Sequence, residues 1–227
     1  MAGIPIINFD EGQKLKRVVP LFPNTTRCGI FGPSGCGKTN ALLTILVYKE
    51  PLTAIYLCSR TASQPKYTLL RQLVNEHNSD EKNAKIIYQE LIPKTLPIPE
   101  QLKADSIIIF DDILAENQDK IATFFMRGRH CNISCFYLAQ SYTKIPKKSG
   151  IRENFNFLLI FKQDRINLHQ IYSEYVANGV SFQQFVDICT FCWQQEFGFL
   201  TIDLEDGCKF RYCLDEEIHL PSLSDLE

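Results

Sequence analysis

The 227-residue sequence predicts an α/β fold, a three-layer sandwich in which helices cover both faces of a mostly parallel sheet. Two observations lead to this prediction. Short apolar runs, many of them β-branched, alternate along the chain with segments of helical periodicity. Within these runs the apolar residues are consecutive, as in strands that are covered on both faces.

Local patterns predict six strands and five helices before residue 200. Ser181 is expected to cap the last helix, which would extend to about residue 195. The segment 93–99 contains three prolines and is expected to be a connection. The strands are expected at 27–31, 54–57, 85–88, 106–110, 133–138 and 157–161, and the other helices at 38–48, 67–76, 119–127 and 166–176.

After residue 199 the apolar period changes to two. Leu200, Ile202 and Leu204 alternate with polar residues, and so do the apolar residues of 208–212. Asp-Gly at 206–207 supplies a turn between the two runs. This pattern predicts a β-hairpin with one buried face, as a C-terminal extension that follows the last helix.

The segment Gly32-Pro33-Ser34-Gly35-Cys36-Gly37-Lys38-Thr39 fits the P-loop pattern, and Asn40 continues into an expected helix. In this context backbone N–H groups and the helix N-terminus converge on phosphate oxygens. Lys38 is expected to reach the β- and γ-phosphates, and Thr39 to hold Mg²⁺ through its hydroxyl. We therefore predict that residues 32–40 bind ATP with Mg²⁺. The alternative is a glycine-rich turn without a ligand.

A second element is the apolar run 106–110, which ends in Asp111 and Asp112. Open α/β sheets place ligand chemistry at the carboxyl ends of their strands. Asp111 is the expected partner of Mg²⁺, and Asp112 the expected base that deprotonates the attacking water. Together with the P-loop, this pair predicts hydrolysis of the nucleotide.

Three further residues are candidates for the catalytic machinery. Gln140 follows the expected strand 133–138 and could contact both the γ-phosphate and the water. Arg127 and Arg129 precede that strand, where an arginine could be inserted into the site of a neighbouring subunit. Arg129 is the preferred candidate, and simple complementation of a helix dipole is the alternative for both.

Residues 27–165 are expected to form the nucleotide-binding core of a single domain spanning 1–227, with 166–227 as a C-terminal elaboration. The net charge of −2 gives no global argument for nucleic-acid binding. Basic residues nevertheless outnumber acids between 143 and 166, which indicates either a local basic surface or a solvated loop.

The chain start lacks the pattern of a signal peptide, and no apolar run approaches the roughly 18 residues of a membrane helix. An intracellular protein without a membrane partner is therefore expected. In a reducing compartment the nine cysteines would be buried thiols. A zinc site at Cys189, Cys192, Cys208 and Cys213 is the alternative.

Taken together, these motifs resemble the poxvirus-type DNA-packaging ATPases of the FtsK–HerA superfamily, which also occur in virophages and in Maverick/Polinton transposons. The resemblance covers about residues 27–172. It rests on the P-loop, on Ile-Ile-Ile-Phe-Asp-Asp at 107–112, on Arg-Gly-Arg-His at 127–130, on Cys-Phe-Tyr-Leu-Ala-Gln-Ser-Tyr at 135–142 and on Asn-Phe-Asn at 154–156.

The resemblance implies an ATP-driven motor that moves double-stranded DNA into a preformed capsid. It further implies a homo-oligomeric ring of five or six subunits, a trans-acting arginine, Gln140 as sensor and capsid proteins as partners. The location would be the host cytoplasm, in a virus factory, or the nucleus, or the virion. Many superfamily members have Asp-Glu where this chain has Asp111-Asp112. Lys144, Lys147 and Lys148 are candidate DNA contacts, since duplex binding is mainly to phosphate.

Two other functions share the phosphate site. A P-loop kinase for a small molecule would need an acceptor pocket and a lid, and it would leave Gln140 and the Arg-Gly-Arg-His segment without an evident role. A non-enzymatic, nucleotide-gated scaffold in virion assembly would bind ATP without turnover. A GTPase is disfavoured, because the sequence contains no Asn-Lys-x-Asp segment.

Overall fold

One mixed sheet runs through the computed structural model, which describes residues 17–49, 52–177 and 179–219. Within these residues its strands are β1 Arg27–Phe31, β2 Ala54–Ser59, β3 Ile87–Leu91, β4 Ser106–Asp111, β5 Ile133–Ala139, β6 Phe157–Ile160, β7 Leu200–Asp203, β8 Lys209–Tyr212 and β9 Glu216–Ile218. The helices are α1 Lys38–Tyr48, α2 Pro65–Ser79, α3 Gln118–Arg127, α4 Arg165–Ile171 and α5 Phe182–Cys192.

The strand order is β3-β2-β4-β5-β1-β6-β7-β8-β9. All pairs from β3 to β6 are parallel, and the pairs from β6 to β9 are antiparallel. The predicted fold class, an α/β sandwich around a mostly parallel sheet, is confirmed. The parallel part carries the crossover helices, and the antiparallel strands extend one edge of the sheet.

The register brings the carboxyl ends of the parallel strands to one edge. Asp111 pairs with Ser59 of β2 and with Leu138 of β5. Phe31 at the end of β1 pairs with Ala139 of β5 and Ile160 of β6. Loops that follow these five strands therefore emerge side by side, which is where the sequence places its motifs.

Two apolar cores cover the two faces of the sheet. Along β4, Ile107 and Ile109 face one core and Ile108 and Phe110 face the other, because successive strand residues point to opposite faces. The first core includes residues of α1 and α2, and the second includes residues of α3, α4 and α5. Each fully buried Ile or Phe contributes about 1.5–3 kcal/mol by leaving water.

The predicted strand 85–88 is displaced, because β3 begins at Ile87 and ends at Leu91. The reason is a turn after α2. The side chain of Asn78 accepts a hydrogen bond from the Ile86 backbone N–H at 2.8 Å, and its amide donates to the Ile86 carbonyl at 2.7 Å. Ile86 therefore belongs to the turn after α2 and not to the strand.

The predicted helix 166–176 consists of two parts, since α4 ends at Ile171 and a π-helical turn covers Tyr172–Val176. Ser181 caps α5 as predicted, through its hydroxyl and the N–H of Gln184, but α5 ends at Cys192 and not near residue 195.

The C-terminal extension contains more than the predicted hairpin, because β9 adds a third antiparallel strand to β7 and β8. Residues 220–227 of the predicted C-terminal elaboration lie outside the described residues.

A buried carboxylate fixes the chain before β1 onto the antiparallel strands. Asp203 is 0% exposed and accepts hydrogen bonds from Arg17 at 2.6 and 2.9 Å and from Arg211 at 2.8 Å. Burial acts to raise the pKa of Asp203, but the two guanidinium groups outweigh this effect and leave the pKa below its ordinary value. The carboxylate therefore stabilises the fold above its unfolded-state pKa, and this contribution is lost as the pH falls through the folded-state pKa.

Replacement of Asp203 by Ala is expected to lower the free energy of unfolding by about 3–5 kcal/mol, because it leaves two guanidinium groups at the end of β7 without their shared partner. Urea unfolding at neutral pH measures this loss. Asp206→Ala is the matched control: its carboxylate is half exposed and pairs with Lys209, so a change within about 0.5 kcal/mol is expected. Equal losses in the two variants would contradict the assigned role of Asp203.

Candidate nucleotide-binding site

The glycine-rich segment 32–37 connects β1 to α1 and is fixed to β5 at its first residue. The Gly32 N–H donates to the Ala139 carbonyl at 3.2 Å. A Cβ on Gly32 would lie 2.4 Å from Cβ of Phe161, so no other residue fits there. Gly35 and Gly37 have φ values of +80° and +106°, which L side chains rarely adopt. The turn thus depends on its glycines for both space and backbone conformation.

Lys38 points back into this turn. Its ammonium group donates to the carbonyl oxygens of Gly32 and Pro33, both at 2.7 Å. Burial lowers the pKa of Lys38, and the nearby charge of Lys66 acts in the same direction. The ammonium group is therefore positioned at the inner rim of the loop, where phosphate oxygens would replace the carbonyl oxygens as its partners.

Asp111 is the last residue of β4 and is buried. Its carboxylate accepts a hydrogen bond of 2.7 Å from the hydroxyl of Tyr67, a fully buried residue in the first turn of α2. Burial raises the pKa of Asp111, and the Tyr67 hydrogen bond and the charge of Lys38 partly offset the rise. Tyr67 therefore orients the carboxylate and stabilises its ionised form.

Asp112 follows the last residue of β4 and does not have the backbone dihedral angles of a strand. Its φ of +55° is in the left-handed region, which Asp tolerates better than most residues. The side chain is exposed, in contrast to the buried Asp111 beside it. The two carboxylates therefore have different environments, one buried and anchored and the other free to contact solvent.

A cavity of about 480 Å³ joins these groups at the carboxyl edge of the sheet. It brings together the P-loop, both aspartates and Gln140 of the predicted site. It also contains groups that the sequence analysis did not assign to it, from the start of α2 and from the turn after β5. The lining residues are Ser34, Gly35, Gly37, Lys38, Thr39, Gln64, Pro65, Lys66, Asp111, Asp112, Leu114, Leu138, Ala139, Gln140 and Lys144.

The start of α2 contributes three polar groups that the sequence analysis missed: Gln64 and Lys66 line the cavity, and Tyr67 binds Asp111. One signal in the sequence could have found them. The segment 60–66 follows a strand that is parallel to β4, so it had to emerge at the same edge of the sheet. The motif patterns did not include this loop because its residues match no phosphate-binding signature.

The family model described as poxvirus A32 protein matches residues 17–190, which is more than half of the 227 residues. The chain belongs to the poxvirus A32 family. The predicted resemblance to the poxvirus-type packaging ATPases is thereby confirmed. No match was found among curated protein sequences.

Solved structures similar to this A32-family chain include the genome packaging NTPase B204 from Sulfolobus turreted icosahedral virus 2. Its complex with AMPPCP has a TM-score of 0.56 and 11% identity, and the match covers 84% of this chain and 97% of that chain. Its sulfate complex has a TM-score of 0.58 and 10% identity, with coverage of 84% and 96%. VirB4 of Thermoanaerobacter pseudethanolicus has a TM-score of 0.53 and 8% identity, with coverage of 88% and 90%. At these identities the likeness shows a shared fold.

The oxygen donors of the cavity fit a magnesium ion. Thr39 provides a hydroxyl and Asp111 a carboxylate, and both line the same cavity. Mg²⁺ prefers hard oxygen ligands and usually takes only one or two from a protein, the rest coming from phosphates and water. The ionised form of Asp111, which the Tyr67 hydrogen bond favours, is the form that such a site needs.

The two candidate arginines lie near the amino ends of the parallel strands, whereas the cavity lies at the carboxyl ends. A 3₁₀ turn at Gly128–Cys131 leads into the start of β5, whereas Gln140 follows its end. The seven residues of β5 span roughly 20 Å. Arg127 and Arg129 are therefore too far away to reach the cavity of their own subunit.

The side chains of these arginines have different partners. Arg127 is exposed and forms a salt bridge with Glu100. Arg129 is also exposed, and its guanidinium lies 3.5 Å from Nε2 of His130. It has no carboxylate partner within the described ranges, so it is the more available of the two for a neighbouring molecule.

The three lysines predicted to contact DNA do not share one surface. Lys144 lines the nucleotide cavity together with Gln140. Lys147 and Lys148 are exposed on a separate 3₁₀ turn, and Lys147 borders another groove beside Glu174. Lys144 therefore belongs to the cavity lining, whereas the other two lysines do not line it.

The Asn-Phe-Asn block and the nearby Arg152 form a buried scaffold. The Asn156 amide accepts from the Arg27 N–H at 2.7 Å and donates to the Thr25 carbonyl at 3.0 Å, which fixes the start of β1 beside β6. The Arg152 guanidinium donates to the Thr143 carbonyl at 2.7 Å and lies over the ring of Tyr142. These residues thus support the ends of the strands and the turn after Gln140.

The cysteines of the zinc alternative pack among apolar residues, two of them buried and two, Cys208 and Cys213, partly buried. Cys189 and Cys192 belong to the buried core under α5, where burial raises the pKa of both thiols, that of Cys192 to about 12. Within 17–49, 52–177 and 179–219, no group of three or more His, Cys, Asp or Glu could hold a metal ion. Nor does any helix of these ranges have the length and apolarity to cross a membrane.

Tyr67→Phe is expected to weaken binding of Mg²⁺–ATP selectively at acidic pH. Loss of the hydroxyl removes the hydrogen bond that lowers the Asp111 pKa, so the carboxylate takes up a proton at a higher pH than in the native protein. A hydrogen bond to a charged group contributes about 1.5–3 kcal/mol, so we expect at least about a tenfold loss of affinity on the acid side.

Titrations of the affinity against pH measure this effect, and Tyr88→Phe is the control. The Tyr88 hydroxyl lies on the edge strand β3, 3.4 Å from Glu90. If the affinity of Tyr67→Phe fell at the same acidic pH as that of the native protein, the Tyr67 hydroxyl would have no effect on the pKa of Asp111.

Proposed function

We propose that this A32-family protein is an ATP-hydrolysing motor that moves double-stranded DNA into a preformed capsid. One observation supports the proposal above all others: Lys38, the pair Asp111 and Asp112, and Gln140 come from three separate segments and line a single cavity. A cavity with a phosphate loop, an anchored carboxylate and a free carboxylate contains the groups that hydrolysis of a nucleoside triphosphate requires.

In the proposed mechanism, the N–H groups of residues 32–40 hold the phosphate chain and Lys38 contacts the β- and γ-phosphates. Thr39 and Asp111 would hold Mg²⁺, which supplies charge neutralisation on the phosphate oxygens when it is bound. Lys66 and Lys144 add two positive charges to the cavity wall. These charges favour the triphosphate over the less charged diphosphate.

Asp112 acts as the base in this mechanism. It takes a proton from the attacking water, which forms a bond to the γ-phosphorus while the bond to the β–γ bridging oxygen breaks. The Gln140 amide orients the water and contacts the γ-phosphate. The products are ADP and inorganic phosphate, and no acceptor molecule is needed, which separates this function from that of a kinase.

The proposed motor is a homo-oligomeric ring of five or six subunits. Arg129 is exposed at the edge of the sheet opposite the cavity, so it would act on the γ-phosphate of a neighbouring subunit. Lys147 and Lys148 are the proposed contacts to DNA phosphates, and capsid proteins are the proposed docking partners. The family favours a virus factory or the virion as the location.

Asp112→Asn is expected to lower ATP hydrolysis about 100- to 10,000-fold while ATP still binds, because the base is lost but the phosphate loop is kept. Lys38→Ala is expected to abolish binding or turnover. Release of phosphate, measured without an acceptor and with and without duplex DNA, tests both variants, and duplex DNA should raise the native rate.

Asp105→Asn is the matched control, because Asp105 is also exposed and has a left-handed φ of +53°, but it precedes β4 at the other edge. Normal turnover by Asp112→Asn would refute the base assignment. Native hydrolysis that long duplexes do not stimulate would argue against the motor.

Arg129→Ala is expected to reduce hydrolysis about 1,000-fold or more, as for other trans-acting arginines. Mixing Arg129→Ala with Asp112→Asn should restore part of the activity. In the mixed ring, an intact Asp112 of one subunit faces an intact Arg129 of the next. Arg127→Ala serves as the control and should retain most activity. Failure of the mixture to recover, with ring assembly intact by solution mass, would exclude a trans role.

A further inference from the structure

The strand order determines the direction in which a bound nucleotide would lie. The P-loop follows β1, and the groups expected at the γ-phosphate, Asp112 and Gln140, follow β4 and β5 on one side of it. A triphosphate in the loop therefore directs its γ-phosphate toward β4 and β5. We therefore expect the nucleoside to extend in the other direction, over the end of β6 and the start of β7.

On that side, an aromatic ring lies against the P-loop. Phe197 precedes β7, and a Cβ added to Gly37 would lie 3.2 Å from Cδ1 and 3.4 Å from Cβ of Phe197. The side chain is nevertheless 53% exposed. One part of Phe197 thus lies beside Gly37 of the P-loop, while much of its apolar surface faces solvent.

The backbone of Phe197 is in an unfavourable conformation. Its φ of +61° lies in the left-handed region, which is rare for a bulky residue and costs on the order of a few kT. Burial of the ring does not compensate for this, since the ring is half exposed. Such strain in an exposed side chain indicates a role outside the packing of the chain itself.

The surrounding segment holds Phe197 in place from both sides. Before it, the Trp193 indole N–H donates to the Ile160 carbonyl at 2.9 Å, which fixes the end of α5 to the end of β6. After it, Gly198 approaches α5 so closely that a Cβ would lie 2.1 Å from the Cys192 carbonyl oxygen. The backbone on both sides of Phe197 is therefore held in place.

A second exposed aromatic residue nearby makes the contrast clear. Phe191 is 54% exposed, but it lies in the regular helix α5 and packs edge-on against Tyr212. Its exposure needs no explanation beyond a position on a helix surface. Phe197 differs in its strained backbone and in its contact with the P-loop.

We propose that Phe197 is the stacking platform for the base of the bound nucleotide. This inference rests on the proposed function, since it requires that the P-loop binds a nucleoside triphosphate. A preformed aromatic face beside the phosphate site suits the flat π-surface of a base. Phe197 would stack on the face of the base and would not contact its hydrogen-bonding edge. It therefore contributes affinity for the nucleoside part of the ligand.

The test compares Mg²⁺–ATP with Mg²⁺–tripolyphosphate, which has the phosphate chain but no nucleoside. Phe197→Leu keeps an apolar side chain and removes the aromatic face. It should weaken ATP binding about tenfold, as expected for the loss of one base stack, and leave tripolyphosphate binding within about twofold. Phe197→Trp should retain ATP affinity and show fluorescence quenching by ATP but not by tripolyphosphate. Phe191→Leu is the matched control and should bind both as the native protein does.

Three results would overturn the inference. Equal losses for ATP and tripolyphosphate would mean that Phe197 supports the loop and not the base. Unchanged ATP affinity, with a lower solution mass, would make Phe197 a contact between subunits. A native protein that binds neither ligand would refute the proposed function, and the inference with it, so that failure is distinguishable from a failure of the platform alone.

Discussion

The parallel register of β1 with its two neighbours is the constraint on which the rest of the structure depends. Phe31 pairs with Ala139 on one side and with Ile160 on the other, so three loops leave the sheet at one level. The bond from the Gly32 N–H to the Ala139 carbonyl then joins the P-loop to the segment that carries Gln140. A slip of one residue would invert the faces of a strand and separate these groups. Asn156 holds the register at the other end of β1.

The chemistry of the site depends on a covering helix as well as on the sheet. Asp111 reaches the carboxyl edge through β4, but its orientation and ionisation depend on Tyr67, which α2 brings from 44 residues away. Other residues act only through the scaffold. Asn156 and Arg152 make internal hydrogen bonds that support the strands and the turn after β5, and neither lines the cavity.

Local patterns in the sequence were sufficient to predict the fold class, the parallel strands and the P-loop, because these depend on periodicity and on residues close in the chain. They failed where the position of a residue depends on contacts outside its own strand or turn. β3 begins two residues late because Asn78 captures Ile86. The patterns also did not place Lys144 in the cavity, which it lines together with Gln140. Phe197 has no sequence signature, because it lies beside a glycine 160 positions earlier in the chain.

The positions of the proposed catalytic groups also restrict how subunits can associate. Arg129 precedes β5 and the cavity lies beyond its other end, so an arginine that acts in trans joins opposite edges of two identical sheets. Such a contact is heterologous: each subunit presents one edge and receives the other. Repetition of a heterologous contact gives either a closed ring or an open filament. The proposed motor surrounds a duplex and would require the closed form, so a trans-acting Arg129 is compatible with it only where the rotation between neighbouring subunits closes a ring.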